Sequence, residues 1–209
     1  RSSEISNLKT LIPIEKPDFN GSFGEFQMFY GQAGNRIYLL GLGEEEQSSK
    51  LEDAFRTLAF KTQKYWGDHL QIYSKNLSEQ DLKKATIGLQ LAQYEIGALK
   101  AEKMTLTNTC IIFTDTVKDL ESVIKEGQFT GDTINRIKAL VDAPPNVKTP
   151  KYLGDWALKS SADSKYSCNV ISGEALKEQR FEAVISVGKG SVNQPVVIVS
   201  EYFGADKEG

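Results

Sequence analysis

Leu70-Gln71-Ile72-Tyr73, then Leu77-Ser78-Glu79-Gln80-Asp81-Leu82, then Thr109-Cys110-Ile111-Ile112-Phe113: across these residues the pattern passes from a short apolar run to an amphipathic stretch and back. The middle stretch opens as a helix. The Ser78 hydroxyl can accept an orphan N–H of the first turn, Asp81 can reach back to the Ser78 N–H, and Leu77 and Leu82 flank them as a hydrophobic staple. Leu82, Ala85, Leu89, Ala92, Ile96 and Leu99 then recur at helical spacing, which predicts about five turns. Residues 70–73 and 110–113 read as strands. Strand, helix, strand is the βαβ pattern, so the fold class is α/β, with a sheet flanked by helices.

Toward the N-terminus, residues 26–30 and 37–42 flank the turn Gly31-Gln32-Ala33-Gly34-Asn35 and predict a hairpin. Leu51, Ala54, Phe55, Leu58, Thr62 and Tyr65 predict a helix over 49–66 with one buried face, ended by Gly67. Toward the C-terminus, residues 117–141 read as mostly helical with a break near 127–131. Asp142-Ala143-Pro144-Pro145-Asn146 follows, and two adjacent prolines cannot continue a helix, so a domain boundary is expected there. Thr149 before Pro150 is a helix start, with Leu153, Trp156 and Ala157 facing inward. Beyond it the patterns are strand (167–171), short helix (173–181), strand (183–187) and strand (196–202).

The 209 residues, 40% of them hydrophobic, are enough for one large or two small domains with a real core. Lys and Arg total 25 against 28 acids, a net charge of −3, and no basic block occurs, so nucleic-acid and anionic-membrane binding have no electrostatic support. No apolar run is long enough to span a bilayer, and residues 1–10 carry no signal-peptide pattern; the expectation is a soluble, non-exported, cytoplasmic protein. The two cysteines, Cys110 and Cys168, form no paired motif, and Cys110 lies in an apolar run suited to a buried reduced thiol. The chain opens on Arg1 and not on Met, so either end reads as a processing or truncation boundary.

Three features invite a chemical reading. Gly41-Leu42-Gly43 stands after a strand, where a dinucleotide-binding loop would sit, but the third glycine of that motif falls on Glu46, and Glu44, Glu45 and Glu46 would repel a pyrophosphate. Gly188-Lys189-Gly190-Ser191 fails as a phosphate loop, because Gly190 separates Lys189 from Ser191 and no glycine stands five residues before Gly188; a glycine-rich turn between two strands accounts for it. His69 is the sole histidine, which removes every two-histidine zinc motif, and it reads as a residue of a helix-to-strand turn. The acidic residues are scattered over helix surfaces without a metal-binding cluster.

Residues 136–153, from Arg136 through Asp142-Ala143-Pro144-Pro145-Asn146 to Thr149-Pro150 and Leu153, resemble the M17 leucyl aminopeptidase family, in which a helix leads into an N-x-P-P-N turn and T-P-x-x-L opens the next helix. Val187-Gly188-Lys189-Gly190-Ser191 is similar to the family's A-V-G-x-G-S turn, and Val197-Ile198-Val199-Ser200-Glu201-Tyr202 to the strand ending in Glu-Tyr. Asp142 stands where the family usually has Asn. Before residue 130 the likeness is one of layout, including Leu39-Leu40-Gly41-Leu42-Gly43.

The resemblance implies an N-terminal α/β domain (1–130), a linker helix and Pro-Pro turn (131–150) and the beginning of a catalytic domain (151–209). It implies an aminopeptidase acting on peptide substrates, two divalent metal ions (Zn, Mn or Mg) in the full-length protein, and a homo-hexamer. The first two of the family's metal ligands lie in a G-K-G-x-T-F-D-x-G-G motif beyond the Glu-Tyr strand. Lys189 belongs to the earlier turn, since Ser191-Val192-Asn193 follows it. No residue of this chain is therefore assigned a catalytic, cofactor-binding or metal role, and the chain alone is expected to be inactive. The alternative reading is a stand-alone, non-catalytic α/β ligand-binding or assembly domain.

Overall fold

The computed structural model describes residues 19–31, 34, 36–43, 50–66, 69–73, 77–94, 109–113 and 119–204. The chain divides into two compact units, Arg1–Ala139 and Leu140–Gly209. The fold is α/β. Among the described residues the strands pair as three two-stranded sheets, of which one is parallel.

In the first unit β1 (Phe26–Tyr30) and β2 (Arg36–Leu40) form the expected antiparallel hairpin, with Phe26 opposite Leu40 and Tyr30 opposite Arg36. The second strand stops before Gly41, where the chain passes so close to its own backbone that a β-carbon on Gly41 would lie 2.1 Å from the Ser22 carbonyl oxygen. Alternation along β2 sends Leu39, with Phe29 and Ile37, onto Phe19. Leu40 joins Leu42, Ile72 and Leu89 against the main cluster of Leu51, Phe55, Leu77 and Ala85. That cluster brings together helix α1 (Leu51–Thr62), which runs on as a 3₁₀ turn (Gln63–Tyr65), and helix α2 (Glu79–Leu91).

β3 (His69–Tyr73) and β4 (Thr109–Phe113) are parallel, and α2 lies between them in sequence, as a βαβ unit requires. His69 is the first residue of β3 and not part of a turn. The capping box of α2 forms as predicted: Ser78 Oγ accepts from Asp81 N, and the Asp81 carboxylate accepts from Ser78 N. Leu77 and Leu82 are both buried, Leu82 with no exposed surface, so truncating it to Ala is expected to cost about 2–5 kcal/mol.

Two helix boundaries differ from the sequence reading. α2 ends at Leu91, well short of five turns, although no glycine or proline marks the place. The Gln90 carbonyl, which Tyr94 N–H would need for the next turn, instead accepts from Asn135 Nδ2 at 2.8 Å, and Gln93 N and Tyr94 N turn to i−3 carbonyls. Ile96 and Leu99 lie outside the described residues, as do Gly67, Glu44, Glu45 and Glu46, and the side chain of Cys110. Helix α3 (Leu120–Asp142) is unbroken where a break was expected. Gly127 and Gly131 are its buried residues, and they face Thr86 and Gln90 of α2, so close that a β-carbon on either would stand within 2.8 Å of those side chains. Each glycine weakens a helix by about 1 kcal/mol relative to alanine; close approach of two helices offsets that. Lys83 pairs with Glu126, and Gln90 Nε2 donates to Asp132 Oδ1, on either side of the glycine contacts.

In the second unit the double-proline turn closes on itself, with Val147 N and Lys148 N donating to the Pro144 carbonyl at 2.9 and 2.8 Å. Helix α4 (Pro150–Ala162) starts as predicted, Thr149 Oγ1 accepting from Tyr152 N at 3.2 Å with Pro150 in the first turn. β5 (Ser167–Ser172) and β6 (Val196–Glu201) are antiparallel, with Ser172 opposite Val196 and Ser167 opposite Glu201. Helix α5 (Glu174–Glu178) ends in a Schellman turn: Phe181 N donates to the Leu176 carbonyl, Arg180 N to that of Lys177, and Arg180 sits at φ 62°.

The expected strand at 183–187 is instead helix α6 (Glu182–Gly188). An apolar run of that length fits either state by composition alone. Phe181, Val184, Ile185 and Gly188 are its partly buried residues, at helical i, i+3, i+4, i+7 spacing, while Ala183, Ser186 and Val187 point outward. The Schellman turn leads directly into it, Ile185 N reaching the Phe181 carbonyl.

Candidate functional site

The three stretches singled out in the sequence all fall in the second unit. The double-proline turn leads the chain into α4, and α4 packs against both strands of the β5–β6 sheet. Gly154 of α4 makes the closest approach: a β-carbon there would stand 3.0 Å from Val170. Tyr166 OH donates to the Ala157 carbonyl at 3.3 Å and ties the start of β5 back to α4. Gly188-Lys189-Gly190-Ser191 joins α6 to β6 and does not lie between two strands. Ser191 N donates to the Gly188 carbonyl at 3.0 Å, Asn193 N to Ser191 Oγ at 3.1 Å, and Gly188 lies against the Pro195 ring. Glu201 closes β6, and Tyr202 follows it, exposed.

Lys189 is exposed and makes no ion pair among the described residues. Among those residues no group of three or more His, Cys, Asp or Glu side chains could hold a metal ion. The glycine loop at Gly41 and Gly43 is equally unsuited to phosphate. Its N–H groups are spent within the protein, Gly41 N on the Glu25 carbonyl at 2.7 Å and Gly43 N on that of Gly21 at 3.1 Å. Perturbed charges in the second half of the chain are surface helix pairs. The hydrogen bond from Lys125 holds the Glu121 carboxyl below its usual range, and Glu174 raises the Lys177 ammonium in the same way. Cys168 is a free, half-buried thiol on β5.

One arrangement escaped the sequence reading. At the C-terminal end of α1, Lys61 Nζ lies 5.4 Å from the centre of the Phe26 ring, Lys64 Nζ 4.8 Å from that of Tyr65, and the Arg36 guanidinium 5.7 Å from the same Tyr65 ring. Arg36 Nη1 also donates to the Tyr65 carbonyl. The signal lay in the charge order of α1, acidic in its first turn at Glu52 and Asp53 and basic at its end. Only the hairpin brings Arg36 to it.

Comparison with known proteins places this fold among the aminopeptidases. Residues 135–209 match the model of the cytosol aminopeptidase family, catalytic domain. A probable cytosol aminopeptidase of Clostridium perfringens is 27% identical over 222 residues, which cover 99% of this chain and 45% of that protein. A tomato leucine aminopeptidase mutant shares the fold with a TM-score of 0.72 at 23% identity, over 87% of this chain and 38% of that one. The bottromycin maturation enzyme BotP, solved in complex with Mn, shares it with a TM-score of 0.73 at 19% identity, over 90% of this chain and 41% of that one. In sequence the chain is thus similar to cytosol aminopeptidases, and its residues 135–209 match their catalytic domain. It spans less than half the length of the curated relatives it matches over most of its own length.

Proposed function

We propose that this chain is the N-terminal domain and the opening of the catalytic domain of a two-metal leucyl aminopeptidase, which removes the N-terminal amino acid from peptides. The observation that carries the reading is the match of residues 135–209, a range that contains the Pro-Pro turn, the glycine turn and the Glu-Tyr strand, to the family's catalytic domain. The proposed division is an N-terminal domain over 1–130, a linker over 131–150 and the catalytic opening over 151–209. The boundary between the compact units, at Ala139 and Leu140, falls inside that linker and supports it.

The surface of the second unit supports the same reading. It buries Gly154, Ala157, Ile171 and Leu176, while Val187, Val192, Ile198, Val199, Tyr202 and Phe203 are exposed, Val192 almost completely. A two-stranded sheet with so small a core is marginal by itself and gains stability from further apolar cover. A larger catalytic domain would provide that cover.

In this reading the full-length protein would hold two divalent metals, Zn, Mn or Mg, and these would supply Lewis-acid chemistry for hydrolysis. In the same reading neither Lys189 nor any other described residue is a metal ligand, and the 209-residue chain alone is inactive. Cytoplasmic location and hexameric assembly are part of the proposal. The test is hydrolysis of a leucine chromogenic amide by the full-length protein and by this chain, each with and without added Mn²⁺. Metal-dependent turnover by the full-length protein and none by the chain is the expected result. An inactive full-length protein across a panel of aminoacyl amides overturns the peptidase reading; metal-dependent turnover by the chain overturns the claim that its residues lack the ligands.

A further inference from the structure

Arg36, Lys61 and Lys64 are three exposed cations held over aromatic rings on one side of the first unit. Lys61 and Lys64 are three residues apart where α1 runs on into the 3₁₀ turn, about 5 Å along its axis, and Arg36 reaches the same Tyr65 ring as Lys64. None of the three pairs with a carboxylate among the described residues. From Ala54 to Trp66, and along β1 and β2, there is no acidic residue. This is a local positive array on a chain whose net charge is −3.

We propose that this face binds an extended acidic peptide segment, its carboxylates meeting Lys61 at one end and Arg36 with Lys64 at the other. Cation–π contact fixes each cation against a ring, which lowers the entropy lost when an anion is bound and leaves the outer side of the cation free. Carboxylates on alternate residues of an extended chain are spaced about 7 Å apart, so neighbouring ones can meet Lys61 and the Arg36–Lys64 pair. A short acidic segment feels the local charge within about one Debye length of 8–10 Å. A nucleic-acid strand reaches past the array into the field of an acidic protein, and the Tyr65 ring on which a base would stack already carries Arg36 and Lys64. The inference does not depend on the peptidase reading.

The experiment is fluorescence anisotropy of the 209-residue chain with a labelled peptide of alternating Glu and Ser. The same peptide with Gln for Glu, and an oligothymidylate of similar length, serve as competitors. Expected are saturable binding that weakens with added salt, no competition by the Gln peptide, and a loss of roughly tenfold or more in the double variant Lys61→Gln with Lys64→Gln. Equal binding by that variant, with its circular dichroism unchanged, overturns the proposal. So does salt-independent binding by the unaltered chain, a readout that stands even if the variant fails to fold. Stronger competition by the oligothymidylate than by unlabelled acidic peptide overturns the choice of peptide.

Discussion

Gly127 of α3 rests directly on Thr86 of α2: a β-carbon at 127 would lie 2.8 Å from Thr86 Cβ and 3.1 Å from the Lys83 carbonyl oxygen. Thr86 cannot turn away, because it is buried, β-branched and donates through Oγ1 to the Leu82 carbonyl at 2.9 Å. The glycine is therefore a packing residue in the middle of a helix.

Gly127→Ala would gain about 1 kcal/mol of helix propensity at an open site. Here the added methyl group must push two helices apart, and overpacking of that kind costs about 1–3 kcal/mol. The expected outcome is a net loss of stability in urea unfolding. Gly131→Ala should lose at least as much, since its β-carbon would stand 2.6 Å from Gln90 Cβ, an atom fixed to the backbone. A stabilised Gly127→Ala variant would show that the helices do not touch there.

Ser78→Ala removes the hydroxyl that accepts from Asp81 N. A loss of about 1 kcal/mol is expected from equilibrium unfolding. Ser78→Asp, which keeps an acceptor at the same place, should recover most of it. If alanine and aspartate behave alike, the cap contributes nothing.

Arg180 occupies the left-handed region at the end of α5, a place that glycine fills at no steric expense. Arg180→Gly should be stabilising by about 0.5–1 kcal/mol, read as a rise in thermal midpoint. A marked drop would mean that the arginine side chain holds the turn by contacts stronger than the backbone strain.

The Tyr38 hydroxyl is buried and has no hydrogen-bond partner among the described residues. Burial pushes its pKa above the usual value; Arg36 opposes the shift, and Tyr30 and Tyr65 add to it. A raised pKa means that the fold favours the neutral phenol. The contribution is whole below the unfolded-state value of about 10 and is lost as pH rises through the folded-state value. Tyr38→Phe should be neutral or stabilising by about 1 kcal/mol near pH 7, since it removes an unsatisfied hydroxyl. It should also lose less stability above about pH 10. Parallel alkaline limbs for the two proteins in pH-dependent urea unfolding would contradict this.

Local chemistry was legible in the sequence. The Ser78–Asp81 box, the Thr149–Pro150 start and the 26–30 strand of the hairpin depend on neighbours within a few residues, and they form as read. The likeness to cytosol aminopeptidases was legible too, since its marks are turns with fixed residues. What only the tertiary structure decided is where distant segments meet. Asn135 takes the Gln90 carbonyl and stops α2 with no breaker in sight. Gly127 and Gly131 join α3 to α2 where the sequence suggested a break. The Schellman turn at Arg180 starts a helix in an apolar run that could equally have been a strand. In each case the deciding partner is another segment or the geometry by which the chain arrives, and neither is encoded in the residues of the element itself.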